Sequence, residues 1–140
     1  VKFYRRKLSN GMSVLFDQRK GCGVVSVAFA VKYGSIDEDV SEKGVAPFIE
    51  HMLYKGTPQR SAGDIARDFD RLGGMSNAFT CKEAICLYGT VIDSQLPQFV
   101  AILADIFLNS SFAQQEVERE RQVIRSRNIG DFKLDKSTMA

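Results

Sequence analysis

The sequence predicts a single domain that contains both strands and helices, and three observations support this. The chain has 140 residues, enough to bury roughly two-thirds of the surface that the unfolded chain would expose. Hydrophobic residues make up 44% and charged residues 26%, proportions that are typical of a globular protein with one core. Strand and helix signals then alternate along the whole chain, with no internal repeat or linker between them.

A β-hairpin is predicted at the beginning of the chain. Two apolar-rich runs, residues 3–8 and 12–17, flank Asn10-Gly11, the dipeptide most typical of a tight hairpin turn. Residues 24–33 follow, and their valines, alanines and phenylalanine predict a buried strand at the centre of a sheet.

The remaining elements are predicted from apolar spacing and from capping residues. Ser41 is expected to cap the first helix, and Gly56 to supply a left-handed stop after it. Ser61 and Asp64 have the spacing of a capping box, and glycines at 73 and 74 are expected to end the helix that the box opens. In chain order we predict helix 41–54, helix 61–72, strand 75–80, strand 83–91, helix 95–108 and helix 114–129.

Charge and composition narrow the classes of partner. The net charge of +2 is too small to indicate a nucleic-acid surface, and no apolar run approaches the roughly 18 residues of a membrane span. Cys22, Cys81 and Cys86 lack the paired spacing of a disulfide framework or a zinc ribbon, so we expect reduced, partly buried thiols. A reducing compartment is therefore favoured, the cytoplasm or, in a eukaryote, the mitochondrial matrix, but the compartment itself stays open.

Residues 44–57, which read GVAPFIEHMLYKGT, contain most of a zinc-site motif. This segment resembles the active-site helix of the M16 metallopeptidases, the insulinase and mitochondrial processing peptidase-like inverzincins, which carries H-x-x-E-H at this place. Two further segments support the resemblance: residues 72–80, which include Asn-Ala-Phe-Thr, and the run ERERQVI at residues 118–124. The resemblance therefore extends over nearly the whole chain.

The resemblance implies the α+β fold of this family, in which a mostly antiparallel sheet packs against helices. It also implies that residues 1–140 are the N-terminal part of one M16-type domain, incomplete at its C-terminus, whose partner is a second M16-type domain or subunit. Asn77, Ala78 and Phe79 match the strand that pairs with an extended substrate peptide in active relatives. A plain sheet strand without a peptide is the alternative.

In the working family site, histidines at positions i and i+4 of a helix bind zinc, the glutamate between them is the general base, and a glutamate from a later helix is the third ligand. Here Glu50 matches the base and His51 the second histidine, but Pro47 stands at the first histidine position and cannot ligate. The third-ligand position holds Arg127, whose permanent positive charge would repel a metal. Glu120 matches a residue that supports the site from behind its ligands, and here we expect it to pair with Arg127 or His51.

With two of three ligand positions lost, no cofactor is expected, and the sequence predicts a non-catalytic M16 domain that acts as a partner, scaffold or peptide-binding subunit. Glu50 and His51 are then idle remnants in a polar pocket. Zinc is expected only if a cysteine or a carboxylate such as Glu120 replaces a missing ligand. The alternative is a fragment of an active zinc-dependent endopeptidase, with engineered changes or with ligands from another chain.

Two structural expectations follow from the same segments. A proline is tolerated in the first turn of a helix, so we expect the helix to begin close to Ala46 rather than to break at Pro47. Glutamates and arginines alternate between residues 116 and 127, which is typical of a solvated helix face. A contact with another subunit is the alternative for that face.

Overall fold

The computed structural model describes residues 3–126, and within this range the chain forms five strands and four α-helices. Their order and bounds are β1 Phe3–Lys7, β2 Ser13–Asp17, β3 Val24–Val31, α1 Val45–Leu53, α2 Ala62–Leu72, β4 Met75–Thr80, β5 Ile85–Ile92, α3 Leu96–Asn109 and α4 Gln114–Ser126. The fold is α+β, and every predicted strand and helix has its counterpart. The predicted end of the last helix at 129 lies outside the described residues.

The strands form two antiparallel sheets. β1 and β2 form the predicted hairpin, and β3, β5 and β4 form a three-stranded sheet in that order. The prediction that residues 24–33 form the central, buried strand is wrong, because β5 is central and β3 lies at an edge with only one half-buried face. An apolar run cannot distinguish these positions, since strand order depends on contacts that are distant in sequence.

The core lies between one face of the three-stranded sheet and the helices. Leu87 and Val91 of β5 contribute to it with Phe99, Leu103 and Ile106 of α3, all five almost completely buried. Gly89 makes this close packing possible, because a Cβ atom there would lie 2.5 Å from the Phe99 ring and 2.4 Å from the carbonyl oxygen of Met75. α3 can therefore rest directly against the backbone of the central strand.

α1 begins later than predicted, after a 3-10 turn over Val40–Glu42. Ser41 makes no capping bond; Gly44 is the N-cap with a φ of 92°, and the Glu38 carboxylate accepts hydrogen bonds from the amides of Gly44 (2.8 Å) and Ala46 (2.7 Å). Pro47 is then the third helical residue, where its missing N–H costs little. The expected start close to Ala46 is confirmed.

The capping box of α2 is confirmed, because the side chains of Ser61 and Asp64 each bond to the backbone amide of the other. Gly73 ends the helix with a left-handed φ of 61°. Gly56 is not a left-handed stop: its φ is 128°, and it forms an isolated β-bridge with Ser61. Since α1 ends at Leu53, three residues earlier, the role that we predicted for Gly56 is wrong.

The turn between α3 and α4 is fixed against the end of α1. The Ser110 hydroxyl contacts the carbonyl oxygen of Leu53 at 3.1 Å, while the Ser111 amide and hydroxyl both donate to the carbonyl oxygen of Gly56. Phe112 then adopts a left-handed φ of 44°, which is costly for an aromatic residue. These bonds set the direction in which α4 crosses α1.

The cysteines and the helices bear on two further expectations. Cys86 is buried and its pKa is raised by that burial, but Cys22 and Cys81 are exposed, so the expectation of partly buried thiols is wrong for both. Both lie in loops between strands, which a count of cysteines does not reveal. Among residues 3–126 no single helix is long and apolar enough to cross a bilayer; only α3 and α4 taken together, 87° apart, reach that length and apolarity.

Candidate functional site

The family's motif residues meet where α1 and α4 cross. The Nδ1 atom of His51 lies 2.8 Å from Oε1 of Glu120, and the ammonium of Lys55 lies 3.0 Å from Oε2. Glu120 is 4% exposed, whereas about a third of each partner's side chain is accessible. The carboxylate therefore lies beneath two basic side chains, one from the last turn of α1 and one from the turn that directly follows the helix.

Glu120 is ionised at neutral pH. Burial alone would raise the pKa of Glu120, but hydrogen bonds and charge attraction from Lys55 and His51 outweigh burial and hold that pKa below the ordinary range of a glutamate. An ionised carboxylate only accepts hydrogen bonds, so Nδ1 of His51 carries the hydrogen. In the neutral imidazole this assignment leaves the lone pair on Nε2.

The other motif positions do not complete a metal site. Pro47 is exposed on the first turn of α1 and offers no donor atom, while Glu50 is half-buried on the same helix. No group of three or more histidine, cysteine, aspartate or glutamate side chains that could hold a metal ion exists within residues 3–126. Arg127 lies outside the described residues. The described side chains thus do not match the three-ligand set that catalytic zinc uses.

β4, which carries Asn77, Ala78 and Phe79, is an edge strand of the three-stranded sheet. Backbone hydrogen bonds to β5 come from the odd-numbered residues of β4. The amide of Cys81, directly after the strand, donates to the carbonyl oxygen of Ala84, whereas the amide of Ala78 donates to a side chain instead of to β5. Since such bonds alternate along an antiparallel pair, the even-numbered residues do not bond to β5. The backbone groups of Ser76, Ala78 and Thr80 therefore face outwards, where no strand within residues 3–126 pairs with them.

Side chains already occupy part of this edge. The amide of Ala78 donates to Oδ1 of Asn77 at 2.8 Å, so the Asn77 side chain folds over the central donor of the edge. Ala78 is buried against the helices, whereas Phe79 is about half exposed on the opposite face and stacks edge-on with Tyr88, ring centroids 5.8 Å apart. The three residues predicted as a peptide-binding strand thus share an edge but point to different faces.

α1 lies alongside the same strand. Its first turn approaches the end of β4, where the Thr80 hydroxyl is 3.3 Å from the carbonyl oxygen of Ala46, and beyond its last turn Tyr54 Oη is 2.6 Å from Ser76 Oγ. Burial raises the pKa of Tyr54, and the nearby Glu50 charge adds to this. Glu50 and His51 therefore lie on the part of α1 that follows the open edge.

Three residues of this arrangement are not among the predicted site residues. Glu38 caps α1, Lys55 shares Glu120 with His51, and Tyr54 ties α1 to β4. A signal existed for Lys55, since it follows His51 by four residues, a spacing that brings two side chains to the same side of a helix or of the turn that continues it. Glu38 and Tyr54 act across loops or between elements, so spacing in the sequence does not indicate them.

Several known proteins with similar sequences are named as proteases or peptidases. The family described as Insulinase (Peptidase family M16) matches residues 14–135. An uncharacterized zinc protease of Rickettsia bellii is 41% identical over 118 residues, which cover 84% of this chain and 29% of that protein. An uncharacterized zinc protease of Mycobacterium tuberculosis is 43% identical over 120 residues, which cover 86% of this chain and 27% of that protein. The probable mitochondrial-processing peptidase subunit beta of Arabidopsis thaliana is 36% identical over 117 residues, which cover 84% of this chain and 22% of that protein.

The fold also matches that of a solved protein. The crystal structure of a protease from Helicobacter pylori has a TM-score of 0.83 at 27% identity, covering 90% of this chain and 30% of that one. The chain spans less than a third of the length of each of these relatives. Because the family match covers most of the chain, the chain belongs to the insulinase family of peptidases, family M16.

Proposed function

We propose that this chain is part of a non-catalytic M16 peptidase-like domain that acts as a partner, scaffold or peptide-binding subunit. The observation that carries the proposal is the pair of residues at the ligand positions of α1. His51 is one possible zinc ligand, while Pro47, one turn earlier, offers none. Arg127, at the expected third-ligand position, adds a positive charge in place of a carboxylate. Glu50 would then be a general base without a metal-bound water to act on.

The basic side chains above Glu120 support the same proposal. Lys55 and His51 share the carboxylate, so the polar cluster is satisfied within the chain and adds rigidity where α1 and α4 cross. In this proposal the cluster is structural: it fixes the relative position of two helices whose metal chemistry has been lost.

A partner and a peptide are part of the proposal. Since the chain spans less than a third of its relatives' length, we infer that a second M16-type domain or subunit faces the sheet. The outward backbone groups of Ser76, Ala78 and Thr80 support the pairing of an extended peptide with β4, because an unpaired edge can accept another strand. Peptide binding does not require a metal, so it can persist after cleavage is lost.

Metal content and peptide hydrolysis test the proposal in the full-length protein. We expect well under one zinc per chain by elemental analysis after incubation with zinc and gel filtration, and no cleavage of extended fluorogenic peptides. The double reversal Pro47→His with Arg127→Glu restores a three-ligand set and is expected to bind zinc stoichiometrically. Adding His51→Ala to that reversal is the matched control, which should lose the metal again. Stoichiometric zinc in the unchanged protein would overturn the proposal.

One observation favours a second candidate, a fragment of an active zinc endopeptidase. The Glu120–His51 pair has the geometry of a carboxylate that orients a histidine so that its other nitrogen can bind a metal, and relatives at 41% to 43% identity are named zinc proteases. This candidate requires ligands from outside the described residues. It predicts that zinc and cleavage appear together in the unchanged full-length protein and that both are lost in the single variant His51→Ala.

A further inference from the structure

A groove of about 370 Å³ runs between α2 and the first half of β4. Buried Ile65 and Phe69 of α2 contribute to its walls, as does half-buried Tyr54, which follows α1. On the sheet side it is bordered by Gly74, which precedes β4, and by Met75 and Ser76, the first two residues of the strand. None of the motif residues at the crossing of α1 and α4 lines this groove.

Small side chains keep the groove open. Ala62 and Ala66 are exposed and lie one turn apart on α2, while Gly74, just before β4, and Ser76 line the groove on the sheet side. Gly74 can be nothing larger, because a Cβ atom there would be 2.8 Å from the Phe99 ring. The groove is therefore lined by small residues beside apolar ones and has room for a long, narrow side chain.

The orientation of β4 determines which side chain of an added strand would enter this groove. In neighbouring antiparallel or parallel strands, residues directly opposite each other have their side chains on the same face. Ser76 presents its backbone to the open edge and its side chain to the helix face, where its hydroxyl meets Tyr54. A peptide residue that lies opposite Ser76 would therefore direct its own side chain to the helix face, into the groove.

The charges on α2 indicate which side chain would be favoured. Asp64 is paired with Arg67, and Asp68 with Arg60 and Arg71, so both of these carboxylates have arginine partners in the chain. Asp70 lines the groove, and its exposed carboxylate has no ion-pair partner within residues 3–126. A negative charge at the rim of an apolar groove matches a side chain with an apolar stem and a cationic end.

We propose that this groove binds a lysine or arginine side chain of an extended peptide paired with β4, at the position opposite Ser76. The methylene stem would lie along Ala62, Ala66 and Tyr54, and the cationic end would meet Asp70. The proposal rests on the proposed function only in that β4 pairs with peptides; it concerns recognition and requires no metal and no cleavage.

The test measures binding of extended host peptides to the full-length protein by fluorescence anisotropy. One guest position is moved along an otherwise alanine- and serine-rich host and filled with lysine, norleucine or glutamate. At one guest position we expect lysine to bind about three- to fivefold more tightly than norleucine, the effect of one partly exposed ion pair, and glutamate more weakly than both. Two sets of peptides carry backbone N-methyl groups at alternate residues, one at the odd and one at the even positions. Only one set should lose binding, because only every second amide of the peptide faces β4.

Variants separate the groove from general charge effects. Asp70→Asn should remove the preference for lysine without changing the affinity of the norleucine peptide, and Asp70→Lys should make glutamate the preferred guest. Glu83→Gln removes an equal charge at the far end of the β4–β5 turn and should leave the preference unchanged. Ala66→Leu narrows the groove and should weaken all long guests while sparing alanine.

The outcomes distinguish the two levels of the argument. If peptides bind with the alternating N-methyl pattern but Asp70→Asn leaves the lysine preference intact, the groove proposal is wrong and peptide pairing with β4 stands. If no host peptide binds, or if binding ignores N-methylation, both the pairing with β4 and the groove proposal fail. Cleavage of the hosts would contradict only the non-catalytic character of the domain.

Discussion

Replacing Glu120 with glutamine tests the central polar cluster. The substitution keeps the shape of a buried side chain but removes the charge that receives His51 at 2.8 Å and Lys55 at 3.0 Å. A hydrogen bond to a charged group contributes roughly 1.5–3 kcal/mol, but both partners are about a third exposed and therefore screened. Since glutamine still accepts one bond, we expect the free energy of unfolding at pH 7 to fall by about 1–3 kcal/mol.

The charge of Glu120 also predicts how the effect of the substitution changes with pH. The pKa of Glu120 is lower in the folded than in the unfolded chain, so its ionised form stabilises the fold above the ordinary glutamate range, and this stability is lost as the pH falls through the folded pKa. Glutamine does not titrate. The difference in unfolding free energy between the unchanged protein and Glu120→Gln should therefore be present above about pH 5 and shrink below about pH 4.

Urea unfolding followed by circular dichroism at several pH values measures this difference. Glu118→Gln is the matched control, because Glu118 is exposed on the same helix with its carboxylate 3.4 Å from Arg121, and its removal should change stability by less than about 0.5 kcal/mol. An equal loss at pH 7 and at about pH 3 would show that the charge of Glu120 is not the source of its contribution. The account of the cluster would then be incorrect.

Three substitutions test the fold around the site, each by urea unfolding. Gly89→Ala should destabilise the protein by about 1–3 kcal/mol or more, because its methyl group would lie 2.5 Å from the Phe99 ring; an unchanged midpoint would contradict the close contact of α3 with β5. Ser61→Ala removes the cap of α2 and should cost about 0.5–2 kcal/mol, whereas Ser41→Ala, which removes no cap, should cost almost nothing. Glu38→Ala leaves two amides of α1 without their acceptor and should cost about 1–2 kcal/mol, while a loss no larger than that of Ser41→Ala would refute its capping role.

The elements that the sequence predicted well depend on local chemistry. Asn10-Gly11 forms the turn of the first hairpin, and Ser61 with Asp64 opens α2, because both signals act within four residues of chain. The position of Pro47 in the first turn of α1 is predictable for the same reason, because its ring restricts only its immediate neighbours.

The errors concern relations between distant segments. Ser41 was a reasonable local cap, but the path of the preceding loop brings the longer side chain of Glu38 to the amides of α1. The position of β3 at the sheet edge depends on which strand β5 pairs with, which the apolar content of β3 cannot reveal. The family resemblance indicates His51 and Glu120. The ion pair between Lys55 and Glu120 depends on how α4 crosses α1, which the sequence does not show.

The side chain of Asn77 changes what any strand must offer in order to pair with β4. Its bond to the Ala78 amide means that an incoming carbonyl competes with an intramolecular acceptor that is always present at high effective concentration. Pairing there exchanges one hydrogen bond for another and gains little enthalpy, so a segment that reaches only the Ala78 amide has little advantage over the closed state. The edge of β4 therefore selects among strands by the contacts that they make elsewhere. Only a segment with further contacts beyond Ala78 displaces the Asn77 side chain from the Ala78 amide.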